Sequence, residues 1–227
     1  MVANIDTDCQ RRINRVSAKK RKPVRLLIPV GGAGAQRKFI IKLVEALASY
    51  VKNGKVQLFL NAGDHVHMKT AFLQVLDKCS LDFDTVKDTA GVVAFQKSLL
   101  DPKNEPTKAV TLFTFDEYFP AVATTDILCR VADVLTCKPS ELAFYCLPKL
   151  HIRRVGDHEA HSATRASELG DGTREAREVH DALAYVNLFL DGPDLLSQMN
   201  ESVMRNNKSG IYDGCKKAVD LVLDASK

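Results

Sequence analysis

Short apolar runs that alternate with helical segments restrict this chain to an α/β fold. Residues 24–30 form a largely apolar run that stops at Gly31 and Gly32, as is typical of a buried strand. From Gln36 onward, apolar residues recur at helical spacing until Asn53 ends the pattern. The same alternation continues along the chain. It predicts a Rossmann-like, doubly wound parallel sheet followed by a helical C-terminal tail.

The remaining elements follow from the same two patterns. Further strands are predicted at residues 55–60, 110–115, 134–136 and 149–152, with a loop at 61–64. Helices are predicted near residues 68–76, 89–100, 126–131 and 141–146, and almost continuously from residue 158, with breaks at 170–172 and 191–193. We expect a disordered basic arm or linker at residues 1–22 and a single Rossmann-like domain at residues 23–227.

The positive charge of the chain is concentrated at its N-terminus. Residues 1–23 hold seven basic and two acidic side chains, a net charge of +5, whereas the whole chain of 227 residues carries only +4. The rest of the chain is therefore close to neutral, which predicts no nucleic-acid-binding surface. The arm is interpreted as a solvated tail or linker, although its charge also allows contact with nucleic acid or peripheral contact with acidic lipid.

The apolar segments and the cysteines indicate the compartment. No apolar run reaches the roughly 18 residues of a transmembrane span, and the N-terminus lacks the apolar segment of a signal peptide. Six scattered cysteines include no Cys-x-x-Cys pair, which is typical of a reduced interior. We expect a cytoplasmic protein.

A glycine-rich turn is the first candidate for binding chemistry. Gly31, Gly32 and Gly34 lie between the first strand and the first helix of the sheet, where they permit a close approach of backbone to a ligand. The free amides of the following helix then suit a phosphate group. The alternative is a tight turn that binds nothing. The turn matches neither G-x-G-x-x-G nor a P-loop, so no cofactor is expected.

Two polar segments farther along the chain are the next candidates. Glu141 follows Ser140 at the start of a predicted helix, where the helix dipole alone favours an acid, or where the acid could hold a ribose diol. Residues 156–161 contain His158, Glu159 and His161, one residue short of the H-E-x-x-H zinc motif. A place beside a bound diphosphate is favoured over a metal site, and no metal is expected.

Taken in order, these segments resemble the donor-binding half of a GT-B glycosyltransferase. The resemblance is to the bacterial family that adds N-acetylglucosamine to the lipid-linked peptidoglycan precursor, and it covers roughly residues 24–172. It rests on the glycine turn, on Phe115 at a strand end, on the spacing of Glu141 and Pro148, and on the polar loop at 156–161.

The resemblance implies a UDP-sugar site, with UDP-N-acetylglucosamine as the expected donor. It implies that Gly31, Gly32 and Gly34 approach the diphosphate, that Ser140 and Glu141 hold the nucleotide, with Glu141 on the ribose, and that Phe115 lies near the base. It places His158, Glu159 and His161 against the diphosphate or the sugar. The implied chemistry is inverting and metal-independent. One departure is that Lys138-Pro139-Ser140 replaces the small Gly-Ala-Ser turn of the family.

The chain has no room for the acceptor domain of such an enzyme. We expect an acceptor-binding domain or partner subunit to supply the base, so that the chain alone is weak or inactive in transfer. Whether the chain is an enzyme stays open, because a non-catalytic nucleotide-binding or interaction module fits the same pattern. A dinucleotide-dependent oxidoreductase is disfavoured, since Asp64 falls beyond the second strand.

Overall fold

A computed structural model describes residues 4–17, 22–30, 36–140, 142–192 and 194–225. Within them, the strands are β1 (Val24–Pro29), β2 (Val56–Gly63), β3 (Phe83–Val86), β4 (Val110–Thr114), β5 (Val134–Cys137) and β6 (Lys149–His151). The helices are α1 (Ile5–Val16), α2 (Arg37–Lys52), α3 (Val66–Lys78), α4 (Thr89–Leu100), α5 (Tyr118–Leu128), α6 (Ala160–Leu169), α7 (Val179–Asp191), α8 (Asp194–Lys208) and α9 (Gly214–Ala225). A short 3-10 helix spans Asp157–Glu159.

The described strands form one six-stranded sheet in the order β3-β4-β2-β1-β5-β6, and every pairing is parallel. The predicted parallel α/β sheet is therefore confirmed. From β1 the chain first builds the sheet to one side, through β2, β3 and β4. It then crosses to the other side of β1 to form β5 and β6. The strand order thus reverses between β1 and β5, and the crevice at such a reversal is where open α/β sheets bind ligands.

Alternate side chains of the central strands fill two cores, one on each face of the sheet. Leu26 and Ile28 of β1 pack into the larger core with the apolar faces of α2 and α7. Leu27 and Phe59 point to the opposite face, where α4 and α5 cover them. Burial on both faces explains why these strands are continuous apolar runs in the sequence.

The expectation of a disordered N-terminal arm is wrong for Ile5–Val16, which form α1 on the surface of α8. Ile5, Cys9 and Val16 recur at helical spacing and are buried, so the segment has an apolar face that the basic composition conceals. Arg12 lies on the same face and is only 3% exposed. The positive charge of this segment is therefore partly used inside the fold.

Three local predictions are corrected by the structure. Of the helix expected at 141–146, the described residues 142–146 are not helical, since 142–144 form a turn; Glu141 lies outside the described residues. Residues 61–63, expected in a loop, continue β2. The helix expected from residue 126 begins eight residues earlier, at Tyr118. In the part of the chain that the structure describes, no helix has the length and apolar character to cross a membrane.

Candidate functional site

A cleft of about 400 Å³ opens at the carboxyl ends of β1 and β2. Its floor is formed by the strand ends, and α5 and the turn after β5 form its walls. The lining residues are Pro29, Val30, Asn61, Gly63, Asp64, His65, Tyr118, Ala121, Val122, Thr125, Leu142, Phe144 and Tyr145. The cleft therefore adjoins the point where the strand order reverses, and it combines apolar walls with a few polar groups, as small-molecule sites do.

Asn61 fixes the shape of this cleft. Its buried amide nitrogen donates to the carbonyl oxygen of Ala121 at 3.2 Å and to the hydroxyl of Thr125 at 2.9 Å. Its amide oxygen accepts from the backbone N–H of Gly63 at 3.0 Å, where the chain turns with φ +62°. Asn61 thus ties the end of β2 to α5 and is fully used in doing so. Asp64 and His65 follow directly and lie half-buried at the mouth.

Exposed aromatic side chains surround the mouth of the cleft. Tyr118 is 64% exposed, Phe119 84% and Phe144 67%. Phe144 also contacts the ring of Tyr145, with the ring centroids 4.4 Å apart. A cluster of exposed aromatic rings beside a polar crevice is typical of a surface that receives a ligand or another protein.

The beginning of α2 faces the same edge of the sheet and carries positive charge. The first turn contains Arg37 and Lys38 and no acidic residue, and the side chain of Gln36 does not cap it. Basic side chains there oppose the helix dipole, which favours anions at this end. Gln36 instead donates through Nε2 to the carbonyl oxygen of Arg154 at 3.1 Å, which links α2 to the loop after β6.

Glu159 organises the polar side of the crevice. One carboxylate oxygen accepts from the hydroxyl of Ser140 at 2.8 Å and from Nζ of Lys138 at 3.1 Å. The other accepts from the backbone N–H groups of Val155 at 2.6 Å and Gly156 at 3.4 Å. Burial opposes ionisation of this carboxyl, but these donors outweigh it and lower its pKa to about 2. Glu159 is therefore a fixed negative charge.

Arg154 braces the loop that carries Glu159. Its guanidinium contacts the carboxylates of Glu175 at 2.8 Å and Asp157 at 2.9 Å. Its backbone N–H donates to Glu175 at 3.0 Å. The loop after β6 is therefore fastened at Arg154, by Gln36 and by Glu175.

The residues predicted from the sequence fall into three groups. Gly31, Gly32, Gly34 and Glu141 lie outside the described residues. Ser140 and Glu159 come together through their hydrogen bond, and the exposed His158 directly precedes Glu159 in the short 3-10 helix.

Two predicted residues lie apart from this cluster. His161 lines a separate groove of about 660 Å³, together with Arg165 and Tyr212. The ring of Phe115 is 5% exposed and packs in the core beneath α5. Its burial argues against the contact with a base that the resemblance implied.

The sequence reasoning missed Lys138 and Asn61. Lys138 was visible only as the departure from a small turn, and its partner Glu159 lies 21 residues away in the sequence. Asn61 resembled a loop residue because Gly63 and Asp64 follow shortly after it in the sequence. Among the described residues, no group of three or more His, Cys, Asp or Glu side chains could hold a metal ion.

Comparison with known proteins identifies a family and also finds solved structures that are similar to this chain. Residues 1–223 match the family described as "Domain of unknown function (DUF6938)". No curated protein matches the sequence. Among solved structures, the crystal structure of Acinetobacter baumannii MurG is similar with a TM-score of 0.49 and 14% sequence identity, covering 92% of this chain and 52% of that one. The chain thus spans about half the length of the MurG chain.

Proposed function

We propose that this chain, which belongs to the DUF6938 family, binds a UDP-sugar at the carboxyl edge of its parallel sheet. UDP-N-acetylglucosamine is the expected donor. The chain acts as the donor-binding half of an inverting, metal-independent glycosyltransferase, and a separate acceptor-binding domain or subunit completes the enzyme.

The observation that carries this proposal is the convergence of three elements at the reversal of strand order. The end of β1, the basic first turn of α2 and the Lys138–Glu159 cluster after β5 all lie at the carboxyl edge of the sheet. An uncapped helix N-terminus beside cationic side chains suits the two negative charges of a diphosphate. The adjoining cleft, with its apolar walls, offers room for a nucleoside.

The acceptor-binding partner follows from what the donor half does not provide. The resemblance places the catalytic base on the other half of the enzyme, across the cleft. The exposed rings of Tyr118, Phe119 and Phe144 at the cleft mouth are a suitable surface for such a partner to cover. We expect the chain alone to bind the donor without efficient transfer of the sugar.

A non-catalytic nucleotide-binding module is the second candidate. It is favoured by Glu159, whose carboxylate is already engaged by two side chains and two backbone amides. A carboxylate used in this way has little capacity left for the hydroxyls of a sugar. This candidate predicts that UDP and UDP-N-acetylglucosamine bind equally well, whereas a donor site gains affinity from the sugar.

Calorimetric titration of the purified chain with UDP, UDP-N-acetylglucosamine and NADH tests the proposal. Saturable binding of the uridine ligands without binding of NADH is the expected result. Binding of NADH alone would replace the proposal with a dinucleotide site. Absence of binding by all three ligands would remove the nucleotide function altogether.

Replacement of Glu141 with alanine is expected to weaken UDP binding by about 1–3 kcal/mol, the scale of a hydrogen bond to a charged group. The physical reason is the loss of the ribose contact that the resemblance implies. Glu168→Ala is the matched control, because Glu168 is exposed on α6 and its removal deletes the same charge. Equal UDP affinity in the Glu141 variant and the wild type would contradict the ribose assignment.

A further inference from the structure

A second groove opens beside the cleft and shares one wall with it. The groove has a volume of about 660 Å³ and lies between α6, the turn after β5 and the segment that leads into α9. Phe144 lines both this groove and the cleft at the carboxyl ends of β1 and β2. A molecule held in the groove would therefore lie next to a ligand held in the cleft.

The floor of the groove is a buried hydrogen-bond network. Asp171 is 2% exposed, and one of its carboxylate oxygens accepts from the hydroxyl of Tyr212 at 2.6 Å and from Nζ of Lys149 at 3.3 Å. The hydroxyl of Tyr212 accepts in turn from Nδ2 of Asn206 at 3.4 Å. Because the buried Lys149 neutralises Asp171, the floor adds no net charge to the groove.

The wall formed by α6 carries polar groups that the fold itself does not use. Within the described residues, the side chains of His161 and Ser162 form no hydrogen bond. Arg165 follows one turn later and lies 3.9 Å from Glu168, where the two side chains are 61% and 62% exposed. An ion pair as long and exposed as this one contributes little to stability. The guanidinium can therefore turn to an anion in the groove, and its planar fork of donors suits a carboxylate or a phosphate.

The walls outside α6 are largely apolar. Phe144 is 67% exposed and Ile211 is 42% exposed, so a ligand that covered them would remove apolar surface from water. The face of an aromatic ring carries partial negative charge and attracts the C–H groups on one side of a sugar ring. The groove thus combines one cation, two uncommitted polar side chains and an exposed aromatic ring.

We propose that this groove binds an anionic sugar, whose carboxylate or phosphate lies on Arg165. Its hydroxyl groups bond to His161 and Ser162, and one face of its ring packs on Phe144. The inference rests on the proposed function, because a sugar donor in the cleft requires a hydroxyl-bearing acceptor beside it, and the wall at Phe144 places the groove there. The sugar end of the acceptor therefore binds to this chain, while the separate half supplies the base.

Labelling of Cys215 reports whether the groove is occupied, with no need for sugar transfer. Cys215 lines the groove and is exposed, whereas the other cysteines are buried or half-buried. The rate at which iodoacetamide alkylates Cys215 is measured by peptide mass spectrometry on the full chain, with glucose, glucuronate or glucose 6-phosphate added. A ligand at ten times its Kd slows the labelling about 10-fold by mass action. The half-buried Cys79, at the end of α3, is the internal control and keeps its rate.

We expect glucuronate or glucose 6-phosphate to protect Cys215 and glucose to give no protection at the same concentration. The better of the two anions distinguishes a carboxylate site from a phosphate site. Arg165→Met is expected to weaken the protecting anion roughly 10-fold or more, since it removes a charged hydrogen-bond donor. Arg165→Lys recovers part of the affinity. Arg177→Met removes an arginine that is 67% exposed outside the groove, and should behave as wild type.

The result separates this inference from the proposed function, because UDP binding is titrated on the same chain. If UDP binds and none of the three sugars protects Cys215, the proposed function stands and the groove is not a sugar site. Equal protection by glucose and the anions, or unchanged protection in Arg165→Met, overturns the role of Arg165. If an anionic sugar protects Cys215 while UDP does not bind, the groove has no donor beside it, and its assignment as an acceptor site fails.

Discussion

Replacement of Arg12 with leucine is expected to lower the free energy of unfolding by about 3–5 kcal/mol. Arg12 is 3% exposed, and its guanidinium donates to the carbonyl oxygens of Cys129 at 2.5 Å and Ala132 at 2.8 Å. A hydrogen bond to a charged group contributes roughly 1.5–3 kcal/mol, and leucine would leave both carbonyl groups in a buried place without these donors. Urea unfolding followed by circular dichroism measures the loss.

Two further variants serve as controls for this result. Arg165→Leu removes an exposed guanidinium from α6 and is expected to change stability by less than about 0.5 kcal/mol. Arg12→Lys keeps the charge but lacks the fork that reaches two carbonyls, so an intermediate loss is expected. A loss below about 1 kcal/mol in Arg12→Leu would mean that α1 is not fastened to the loop before β5 as the structure shows.

The importance of Arg12 also explains why the N-terminal segment was misjudged from the sequence. Seven basic residues in 23 indicate a solvated arm when only composition is counted. The shortest hydrogen bonds of Arg12 go to backbone carbonyl groups about 120 residues away, and every residue type carries such a group, so the sequence does not indicate them. Arg15 likewise reaches Asp133 at 3.2 Å. Long-range burial of this kind overrides local composition.

The parallel sheet was predictable because its signal is local. Strands buried on both faces must be apolar throughout, and the helices between them must show a 3.6-residue period. Helix α4 was placed at its observed bounds, 89–100, where the side chain of Asp88 caps the first turn by accepting from the N–H of Gly91 at 2.7 Å. The end of β2 was not predictable, because Asn61 stays in the strand through its contacts with α5.

The candidate site was predictable only in outline. The glycine turn and the polar loop at 156–161 both follow predicted strands, so the sequence predicts a site at the carboxyl edge of the sheet. The pairing of Lys138 and Ser140 with Glu159 was not predictable, because it depends on how the loops after β5 and β6 approach each other. The sequence predicts that Glu159 contacts the ligand. In the structure its carboxylate accepts hydrogen bonds from Lys138, Ser140 and two backbone amides.

His151 gives the fold a second sensitive point, at the end of β6. The side chain is fully buried, and Nδ1 donates to the carbonyl oxygen of Thr173 at 2.9 Å, which leaves Nε2 as the unprotonated nitrogen. Among the described residues Nε2 has no hydrogen-bond partner. Burial lowers the pKa of His151 to about 4; nearby Lys149 acts in the same direction, whereas the Thr173 hydrogen bond and Asp171 oppose it.

We therefore expect stability to fall as the pH drops below 6.5, the ordinary pKa of the imidazole. Between pH 6.5 and about 4 the unfolded chain binds a proton at this residue and the folded chain does not. The free energy of unfolding therefore decreases as the pH falls through this range. At 1.36 kcal/mol per pH unit the full loss is about 3 kcal/mol, of which about 2 kcal/mol falls between pH 6.5 and 5. The contribution is fully present above pH 6.5, and below pH 4 His151 adds no further loss. Urea unfolding at several pH values from 7.5 to 5 measures the slope.

The slope, rather than the absolute stability, identifies the residue. His151→Asn places an amide nitrogen where Nδ1 donates to Thr173, so the hydrogen bond is kept while the titrating group is lost. We expect this variant to be less stable at every pH, because it leaves a cavity, and nearly flat between pH 6.5 and 5. His180→Asn removes an exposed imidazole from α7 and should keep the wild-type slope. An unchanged slope in His151→Asn would mean that another group binds the proton on unfolding, and that the buried imidazole does not set the acid limit of this fold.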